Sequence, residues 1–393
     1  MLNRSDSGCH QFVQSSRFVV IVVGGIFLIL VAAGCGGPNP SLELALLHAP
    51  IIYQDTDDTD PAADYITRFN YDGNMVAADN WDNFDDFRDD LPGVVYYSVV
   101  EAPSYWFIVY AFFHPRDWSD TRFEDEHEND LEGILAIVER EDSDPDRGQL
   151  VGVITVFHTD FFSYTPPGSP LGDGEEDIDG PTESDDWNEA PHLRLTIEAK
   201  GHGVKAWPFA GDFSGQRDRD GVIYFPAQSV TAAEATPESG NDREASYTLV
   251  SLFSTLWPEQ LNEATDGDAV ADTYETWGNF DGNGSGTCGD PWFIDCDDDA
   301  ANLPWRWDDD DDGVWEGVGP FRFLIDPIPA GLLALDPWLI ADRYFSGLPS
   351  PSRYTDNRYL EDLKRHGFGS DNLPGGWPDG LDLDDLLSRA PEE

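Results

Sequence analysis

The stretch YWFIVYAFF, residues 105–113, decides the fold class because every one of its side chains is aliphatic or aromatic. A strand that is apolar on both faces is typical of the buried centre of a β-structure. The tight connection Ala102-Pro103-Ser104 places this strand next to the preceding run VVYYSVV, residues 94–100. Further short strand-like runs, separated by Gly, Pro and Asp, occupy residues 133–139, 149–157, 192–199 and 246–252.

Helical patterns are fewer and weaker than the strand patterns, and they occur at residues 256–264, 336–345 and 380–390. We therefore predict a mainly β protein, built as a two-sheet β-sandwich with long acidic loops and a few peripheral helices.

The net charge of the 393-residue chain is −55, which argues against nucleic acid as a partner. Contacts to phosphates need clustered cations, whereas this chain has three lysines, Lys200, Lys205 and Lys364, and no basic patch. An acidic surface of this kind suits a saline habitat, abundant divalent cations, or both.

The first 35 residues have the features of a secretory signal. Arg4 and Arg17 precede the apolar stretch FVVIVVGGIFLILVAAG, which ends at Cys35. The sequence Ala32-Ala33-Gly34-Cys35 resembles a bacterial lipobox, in which the cysteine is lipidated and becomes the mature N-terminus. An uncleaved membrane anchor is the alternative, because the stretch is nearly long enough to span a bilayer. We expect export to the cell envelope, with lipid at Cys35 anchoring the protein in the outer membrane or at the cell surface.

Export also changes the expected chemistry of the cysteines. Cys9 lies within the signal and Cys35 is the lipidation site, which leaves Cys288 and Cys296. In an oxidising compartment, the loop CGDPWFIDC is expected to close as a Cys288–Cys296 disulfide. The chain has no CxxC pair, which disfavours a structural zinc–thiolate site.

The stretch EDEHENDLEG, residues 124–133, holds the candidate metal ligands. Its HE dipeptide begins like the zinc-protease motif H-E-x-x-H, but the fifth position is Leu131, so that motif is absent. As the entry to a strand, the stretch instead places Asp130 and Glu132 on one face, because they are two residues apart.

The strands on either side of this stretch are expected to pair antiparallel, so that the end of the first meets the beginning of the second. Asp117 then lies close to Asp130 and Glu132, and His127 sits in the loop just before them. Carboxylates at such separations raise one another's pKa, so a cation is the expected partner, and oxygen ligands favour Mg²⁺, Ca²⁺ or Mn²⁺ over zinc. The alternative is that these residues are exposed acids in an acid-rich loop.

The run YAFFHPRDW, followed ten residues after its Asp by HENDLEG, resembles the necrosis-inducing protein family. Members of that family carry a strand end Y-x-W-Y-x-P-K-D and then the heptapeptide G-H-R-H-D-W-E. The resemblance implies a two-sheet β-sandwich with a divalent cation at one end, bound at the positions of Asp117, His127, Asp130 and Glu132. The chain departs from the heptapeptide at four positions, where Glu126, Glu128, Asn129 and Leu131 replace Gly, Arg, His and Trp.

A second part of the resemblance is EAKGHGVKAW, residues 198–207, which is similar to the S-x-H-G-x-Y segment of the family. It suggests His202 as a group that lines the pocket or supports a metal ligand, and we assign Glu128 to the same role. The substituted heptapeptide is more similar still to the vacuolar protein sorting-associated protein 62 family, here in a bacterial lipoprotein form. Plant-toxic members of the superfamily bind sphingolipid sugar head groups, which implies a glycan or lipid head group as ligand but does not imply toxicity.

The acidic run at residues 308–313 suggests a second cation site. It contains D-x-D-x-D-G, the opening of a calcium loop, but position 12 is Gly319 rather than Glu, which excludes an EF-hand. A loop-type Ca²⁺ site would use Asp308, Asp310 and Asp312, and a solvated acidic run is the alternative. Nearby aromatic residues either form a sugar-stacking platform or pack in the core, and these are Trp292, Trp305 and Trp307.

We expect four segments along the chain. A lipoprotein signal peptide with its lipobox covers residues 1–35, and a linker covers residues 36–60. The β-sandwich core with the metal site spans residues 61–265. A loop-rich acidic extension, packed on the same domain, spans residues 266–393.

A binding module is favoured over an enzyme, because no G-x-S-x-G, P-loop or dinucleotide-binding motif occurs, and we assign no catalytic residue. The module would be membrane-tethered, with a divalent cation, Ca²⁺ or Mg²⁺ before Mn²⁺, that organises a pocket for a glycan or glycolipid head group. A metal-dependent hydrolase with His202 or Glu128 as general base is the first alternative. A structural surface protein stabilised by calcium is the second, and the oligomeric state stays open.

Overall fold

The computed structural model describes residues 39–118, 127–141, 144–158, 160–188, 190–206, 221–266, 278–280, 282, 301–307, 333–369 and 383–391. Among these residues, none of the helices is both long enough and apolar enough to cross a membrane.

Strands dominate the described part of the chain. They are β1 (Ile51–Gln54), β2 (Val94–Glu101), β3 (Tyr105–Asp117), β4 (His127–Glu141), β5 (Asp144–Phe157), β6 (Asp160–Thr165), β7 (Gly172–Asp173), β8 (Gly180–Pro181), β9 (Ser184–Trp187), β10 (Ala190–Ile197), β11 (Val204–Ala206), β12 (Val222–Ala227), β13 (Ala245–Ser251) and β14 (Phe345–Ser346).

The α-helices are short and lie between or after the strands. They are α1 (Pro40–His48), α2 (Asn80–Phe87), α3 (Ala232–Ala235), α4 (Leu256–Asp266), α5 (Pro337–Tyr344), α6 (Arg358–Arg365) and α7 (Leu383–Ser388), with single 3-10 turns at Ala77–Asp79 and Leu252–Ser254. The mainly β class and the presence of a few helices are therefore confirmed.

Twelve strands form one mixed sheet in the order β11-β10-β1-β12-β13-β2-β3-β4-β5-β6-β8, with β9 paired to β10. The sheet is curled, because β11 at one edge packs against β4 and β5 near the other. A separation into two sheets is not confirmed, since the hydrogen bonds run through all twelve strands without a break. Strand twist makes a sheet of this size curl over its own core, and the resulting burial pattern in the sequence is the same as that of a sandwich.

The run YWFIVYAFF lies where its composition predicts. It forms the first part of β3, between β2 and β4, and each of its nine residues is buried. The antiparallel pairing of β3 with β4 is also confirmed, and it extends from Tyr105 opposite Glu139 to Asp117 opposite His127. The end of β3 and the beginning of β4 therefore form one edge of the central sheet, where the candidate site lies.

Part of the interval 36–60, expected as a linker, is folded. Asn39 caps α1 through its side chain, which accepts a hydrogen bond from the Ser41 backbone at 3.2 Å, and Leu44 and Ala45 of the helix are buried. The following strand β1 lies inside the sheet, between β10 and β12. These elements were missed because α1 has no clear amphipathic pattern and β1 has only four residues.

Aromatic residues beyond position 265 belong to the same hydrophobic core as the central strands. Trp305 is fully buried, and the Nε1 of buried Trp307 donates a hydrogen bond of 2.8 Å to the carbonyl of Leu131 in β4. The Trp307 ring packs directly over Gly133, where a side chain would overlap it. Both tryptophans therefore pack in the core, whereas Trp292 lies outside the described residues.

Candidate metal centre

The candidate site begins with a cross-strand pair at the end of the β3–β4 hairpin. Asp117 and His127 are directly opposite each other, with Nε2 of His127 3.7 Å from Oδ2 of Asp117. Deeper in the same hairpin, Asp130 is opposite His114 and Glu132 is opposite Phe112. The hairpin therefore brings the four predicted ligands to one end of the sheet.

Asn129 explains how His127 and Asp130 come to share a face although they are three residues apart. An uninterrupted strand would point them to opposite sides, because its side chains alternate. Asn129 has φ 64°, a left-handed conformation that Asn adopts more readily than most residues, and it breaks the alternation. Its amide side chain is held in place, since Nδ2 donates to the carbonyl of Ala77 at 3.1 Å and Oδ1 accepts from Asn80.

Asp130 is tied to a buried histidine. Nδ1 of His202 lies 2.6 Å from Oδ2 of Asp130, and Nε2 of the same ring lies 3.2 Å from Oδ1 of Asp64. Burial alone would lower the pKa of His202, but the hydrogen bonds to the two carboxylates outweigh burial and raise it to about 10. The ring is therefore a buried imidazolium, and it lowers the pKa of Asp130 against the opposing effect of burial.

His202 also stacks on His114, with parallel rings whose centroids are 3.8 Å apart. Nε2 of His114 lies 3.0 Å from Oε1 of Gln54, whose own amide nitrogen donates to two backbone carbonyls. The Gln54 oxygen must therefore accept, so Nε2 of His114 carries the proton and its Nδ1 carries a lone pair. Burial, followed by the charge of His202, lowers the pKa of His114 well below its usual value.

One group of described His and Asp residues is close enough together to hold a metal: His114, Asp130 and His202, with ligand atoms within 4.8 Å of one another. Of the predicted ligands, it includes Asp130 alone. A metal lies in the plane of an imidazole that binds it, and two parallel stacked rings do not share a plane. Both nitrogens of His202 already contact carboxylates, so this trio suits a supporting role behind Asp130 better than chelation.

Glu132 is buried, and only one of its two carboxylate oxygens forms a hydrogen bond with the described residues. The carboxylate is 5% exposed, and its Oε1 accepts a 3.0 Å hydrogen bond from the backbone of His158. Its Oε2 is buried without a hydrogen-bond partner among the described residues. Burial, and then the charge of Asp130, raise the pKa of Glu132 well above its usual value.

Among the described residues, the four predicted ligands do not form such a close group, but the chemistry of their side chains suits a hard divalent cation. Asp117, Asp130 and Glu132 bring three carboxylates together, and burial raises the pKa of Asp117 to about 7, with His127 opposing and Asp130 adding to the shift. Repulsion among buried carboxylates is relieved by protonation or by a cation. Carboxylate oxygens with one imidazole, from His127, are ligands that Ca²⁺, Mg²⁺ or Mn²⁺ accept.

Glu128, predicted to line the pocket or to support a metal ligand, contacts helix α2. It is buried, and its Oε2 accepts a hydrogen bond of 2.7 Å from the backbone of Trp81 in the first turn of α2. A carboxylate at a helix N-terminus is stabilising there, so Glu128 has a local structural role. Both residues are poor candidates for the general base of a hydrolase. Glu128 is buried, and the raised pKa of His202 favours its protonated form.

Four further residues around the site were not predicted: Asp64, His114, His158 and Glu198. His158 has a φ of 58°, and Nε2 of its exposed ring donates a hydrogen bond to Oε1 of Glu198, 2.8 Å away. His114 was signalled by its position three residues before Asp117 in the same strand end. Asp64 and Glu198 carry no local signal, because their partners are 138 and 40 residues away.

Several predicted residues lie outside the described part of the chain. They are the lipidation site Cys35, the disulfide pair Cys288 and Cys296, and the second cation site of Asp308, Asp310 and Asp312.

Comparison with known proteins gives a partial likeness. No family model and no curated protein matches the chain. It is similar to solved structures of necrosis-inducing proteins. One, described as NLPPya in complex with mannosamine, is 11% identical, with a TM-score of 0.27 over 59% of this chain and 82% of that one. Another, Necrosis and Ethylene inducing Protein 2 from the causal agent of cocoa's Witches Broom disease, is 14% identical, with a TM-score of 0.27 over 60% and 83%.

A third similar structure is the non-toxic HaNLP3 protein, 15% identical with a TM-score of 0.22, covering 46% of this chain and 60% of that one. Values this low show a limited similarity of fold and carry no function to this chain. The special similarity to the vacuolar protein sorting-associated protein 62 family stays a prediction from the sequence.

Proposed function

We propose that the chain is a binding protein that uses a divalent cation to recognise a polar head group, a glycan or a glycolipid. Asp117, His127, Asp130 and Glu132 would hold the cation, which is Ca²⁺ or Mg²⁺ in preference to Mn²⁺. When bound, the cation supplies positive charge that ligand hydroxyl groups can approach in a site otherwise lined by carboxylates.

The observation that carries this proposal is the buried, unpartnered Oε2 of Glu132 beside two further carboxylates. A buried carboxylate oxygen without a partner costs about 1–3 kcal/mol or more, so the fold would not retain it without a compensating proton or ion. The charge of Asp130 is balanced by His202, so the compensation is needed at Glu132 and Asp117, whose pKa values are raised. Each could take a separate proton, whereas one divalent cation would compensate both carboxylates together.

The rim of the cluster supports a sugar as ligand. Trp118 follows Asp117 and is half-buried, with its Nε1 donating to Oδ1 of Asp64 at 3.2 Å. Lys200 lies over its ring, with Nζ 4.7 Å from the centroid. Trp118 is therefore fixed at the rim with one face covered by Lys200, and a sugar ring would have to stack on its other face.

Amino sugars are the most suitable sugars for a first test, because their ammonium group complements the acidic surface of a chain with net charge −55. Two of the similar solved structures are described as complexes with mannosamine and with glucosamine.

Metal analysis of purified protein tests the cation directly. We expect about one equivalent of divalent cation in the wild type and in the exposed control Asp186→Asn, and loss of the metal in Glu132→Gln and Asp130→Asn. Equal metal content in all four proteins would contradict the proposal. A glycan array with and without chelator then tests the ligand, and a metal that raises the melting temperature without any glycan binding would favour a structural role.

A metal-dependent hydrolase is the second candidate, and one observation favours it. The exposed ring of His158 is oriented by Glu198 and adjoins Glu132, so it could accept a proton close to the cation. Phosphate and acyl ester substrates, assayed with added Ca²⁺, Mg²⁺ and Mn²⁺, test this candidate. Turnover that is lost in both His158→Asn and Glu132→Gln would support it, and absence of turnover would leave the binding function.

We also propose, from the sequence, that the protein is exported and anchored by lipid at Cys35, with a disulfide between Cys288 and Cys296. Mass spectrometry of the N-terminal peptide from the native host tests the anchor, because a lipidated cysteine adds the mass of its acyl groups. A Cys35→Ser variant that remains in the membrane fraction would contradict lipid anchoring and favour the uncleaved span.

A further inference from the structure

A cavity lies at the opposite end of β5 from the candidate metal centre. It has a volume of about 280 Å³ and is bounded by the end of α1, the first part of β5, the loop after β6 and the beginning of β10. The metal centre adjoins His158 after the end of β5, about ten residues further along, which is roughly 30 Å at the usual rise of a strand. The two sites are therefore separate.

The walls of this cavity are held by hydrogen bonds to backbone carbonyls. His48, at the end of α1, lies with Nε2 2.6 Å from the carbonyl of Arg147 in β5. Burial lowers the pKa of His48 although this hydrogen bond opposes the shift, so the ring is neutral and Nε2 donates. Nδ1 of His192 lies 2.6 Å from the carbonyl of Ala49. These contacts fix α1 to both neighbouring strands, so the cavity is preformed.

The lining is mainly aliphatic, with Leu47, Leu150, Pro166 and Leu193 among its residues. Two charged residues of the lining, Glu183 and Arg147, differ in whether they form an ion pair. Glu183 is paired with Arg194 at 3.2 Å, so its charge is compensated. Arg147, also on the lining, is exposed and forms no ion pair with any described residue.

We propose that this cavity binds a small amphipathic carboxylate, with its apolar body among the leucines and its carboxylate at the rim on Arg147. A guanidinium forms two parallel hydrogen bonds with a carboxylate. The volume accommodates about nine non-hydrogen atoms, at ~30 Å³ for each atom of water size. A singly charged carboxylate also suits an apolar lining and an acidic chain better than a doubly charged phosphate, because it costs less to remove from water.

Calorimetric titration with octanoate tests the proposal, with octanamide as the uncharged probe of the same shape and phenylacetate as an aromatic carboxylate. We expect saturable binding of octanoate to the wild type at or below roughly 1 mM. Arg147→Gln should weaken octanoate binding about tenfold or more, because a charge-assisted hydrogen bond is lost, and should leave octanamide binding unchanged. The exposed Arg68→Gln is the matched control and should bind octanoate like the wild type.

Two further variants show whether the probes bind in this cavity or at another site. Ser184→Phe places a ring at the cavity wall and should abolish binding of both probes, while Glu132→Gln at the metal centre should leave octanoate binding unchanged. Equal octanoate affinity in Arg147→Gln and Arg68→Gln, or no saturable binding of either carboxylate by the wild type, would overturn the proposal. A failure here leaves the cation-dependent function untouched, because the two sites share no residue.

Discussion

At the scale of single residues, Asp117 links the candidate centre to pH. Burial, opposed by His127 and reinforced by Asp130, raises its pKa to about 7 in the cation-free protein. A carboxyl group whose pKa is higher in the folded state than in the unfolded state favours folding at low pH, and that contribution is lost as pH rises towards the folded value. Cation-free protein should therefore lose stability between about pH 4 and pH 7, by at most about 4 kcal/mol for this group.

Urea unfolding at several pH values checks this expectation. Asp117→Asn should flatten the pH dependence, the exposed Asp186→Asn should not, and saturating Ca²⁺ should restore stability at pH 7 in the wild type. A pH dependence that is identical in Asp117→Asn and Asp186→Asn would rule out Asp117 as its source.

Substitution of His202 should lower the free energy of unfolding. Its imidazolium lies between Asp64 and Asp130 and is fully buried, so His202→Gln leaves two buried carboxylates without their counter-ion. We expect a loss of about 3–5 kcal/mol in the free energy of unfolding. Adding Asp130→Asn to His202→Gln should recover part of this loss, because one unpaired charge disappears. A loss below about 1 kcal/mol would show that the ring is not the counter-ion.

At the scale of elements, the β3–β4 hairpin depends on a close packing contact. A methyl group at Gly133 would overlap both the Trp307 ring and the carbonyl of Tyr110, and a backbone carbonyl cannot move aside. Gly133→Ala should destabilise the protein by about 1–3 kcal/mol. Gly180→Ala, where the new methyl group would meet the Tyr164 ring at 3.8 Å, should cost less than Gly133→Ala. Similar melting temperatures for the two variants would contradict a core role for Trp307.

The elements also show what sequence patterns predict well. Strands β2, β3, β4, β5, β10 and β13 were predicted within a few residues, except for the charged extensions of β3 and β4 and the first five residues of β5. These extensions carry the site, and they were harder to predict because Asp117, His127 and their neighbours are polar and Asn129 breaks the alternation. The supporting contacts of His202 and His158 join distant parts of the chain, which a local pattern does not contain.

At the scale of the whole molecule, the general effect of salt on a chain of net charge −55 must be distinguished from specific cation binding. Any salt screens repulsion among so many acids, so molar NaCl should raise the melting temperature of the wild type and of Glu132→Gln alike. A cation held at the candidate centre should raise the melting temperature of the wild type beyond this general effect. An equal response of both proteins to micromolar Ca²⁺ would assign its effect to the surface.

Calorimetric titration of Ca²⁺ into metal-free protein in 1 M NaCl tests for a cation site at the β3–β4 hairpin, because the screening length is then about 3 Å and surface binding is suppressed. We expect a single saturable Ca²⁺ site in the wild type and in Asp186→Asn, and an affinity at least tenfold lower in Glu132→Gln. Affinity in Glu132→Gln equal to that of Asp186→Asn would contradict a cation site at the mouth of the β3–β4 hairpin.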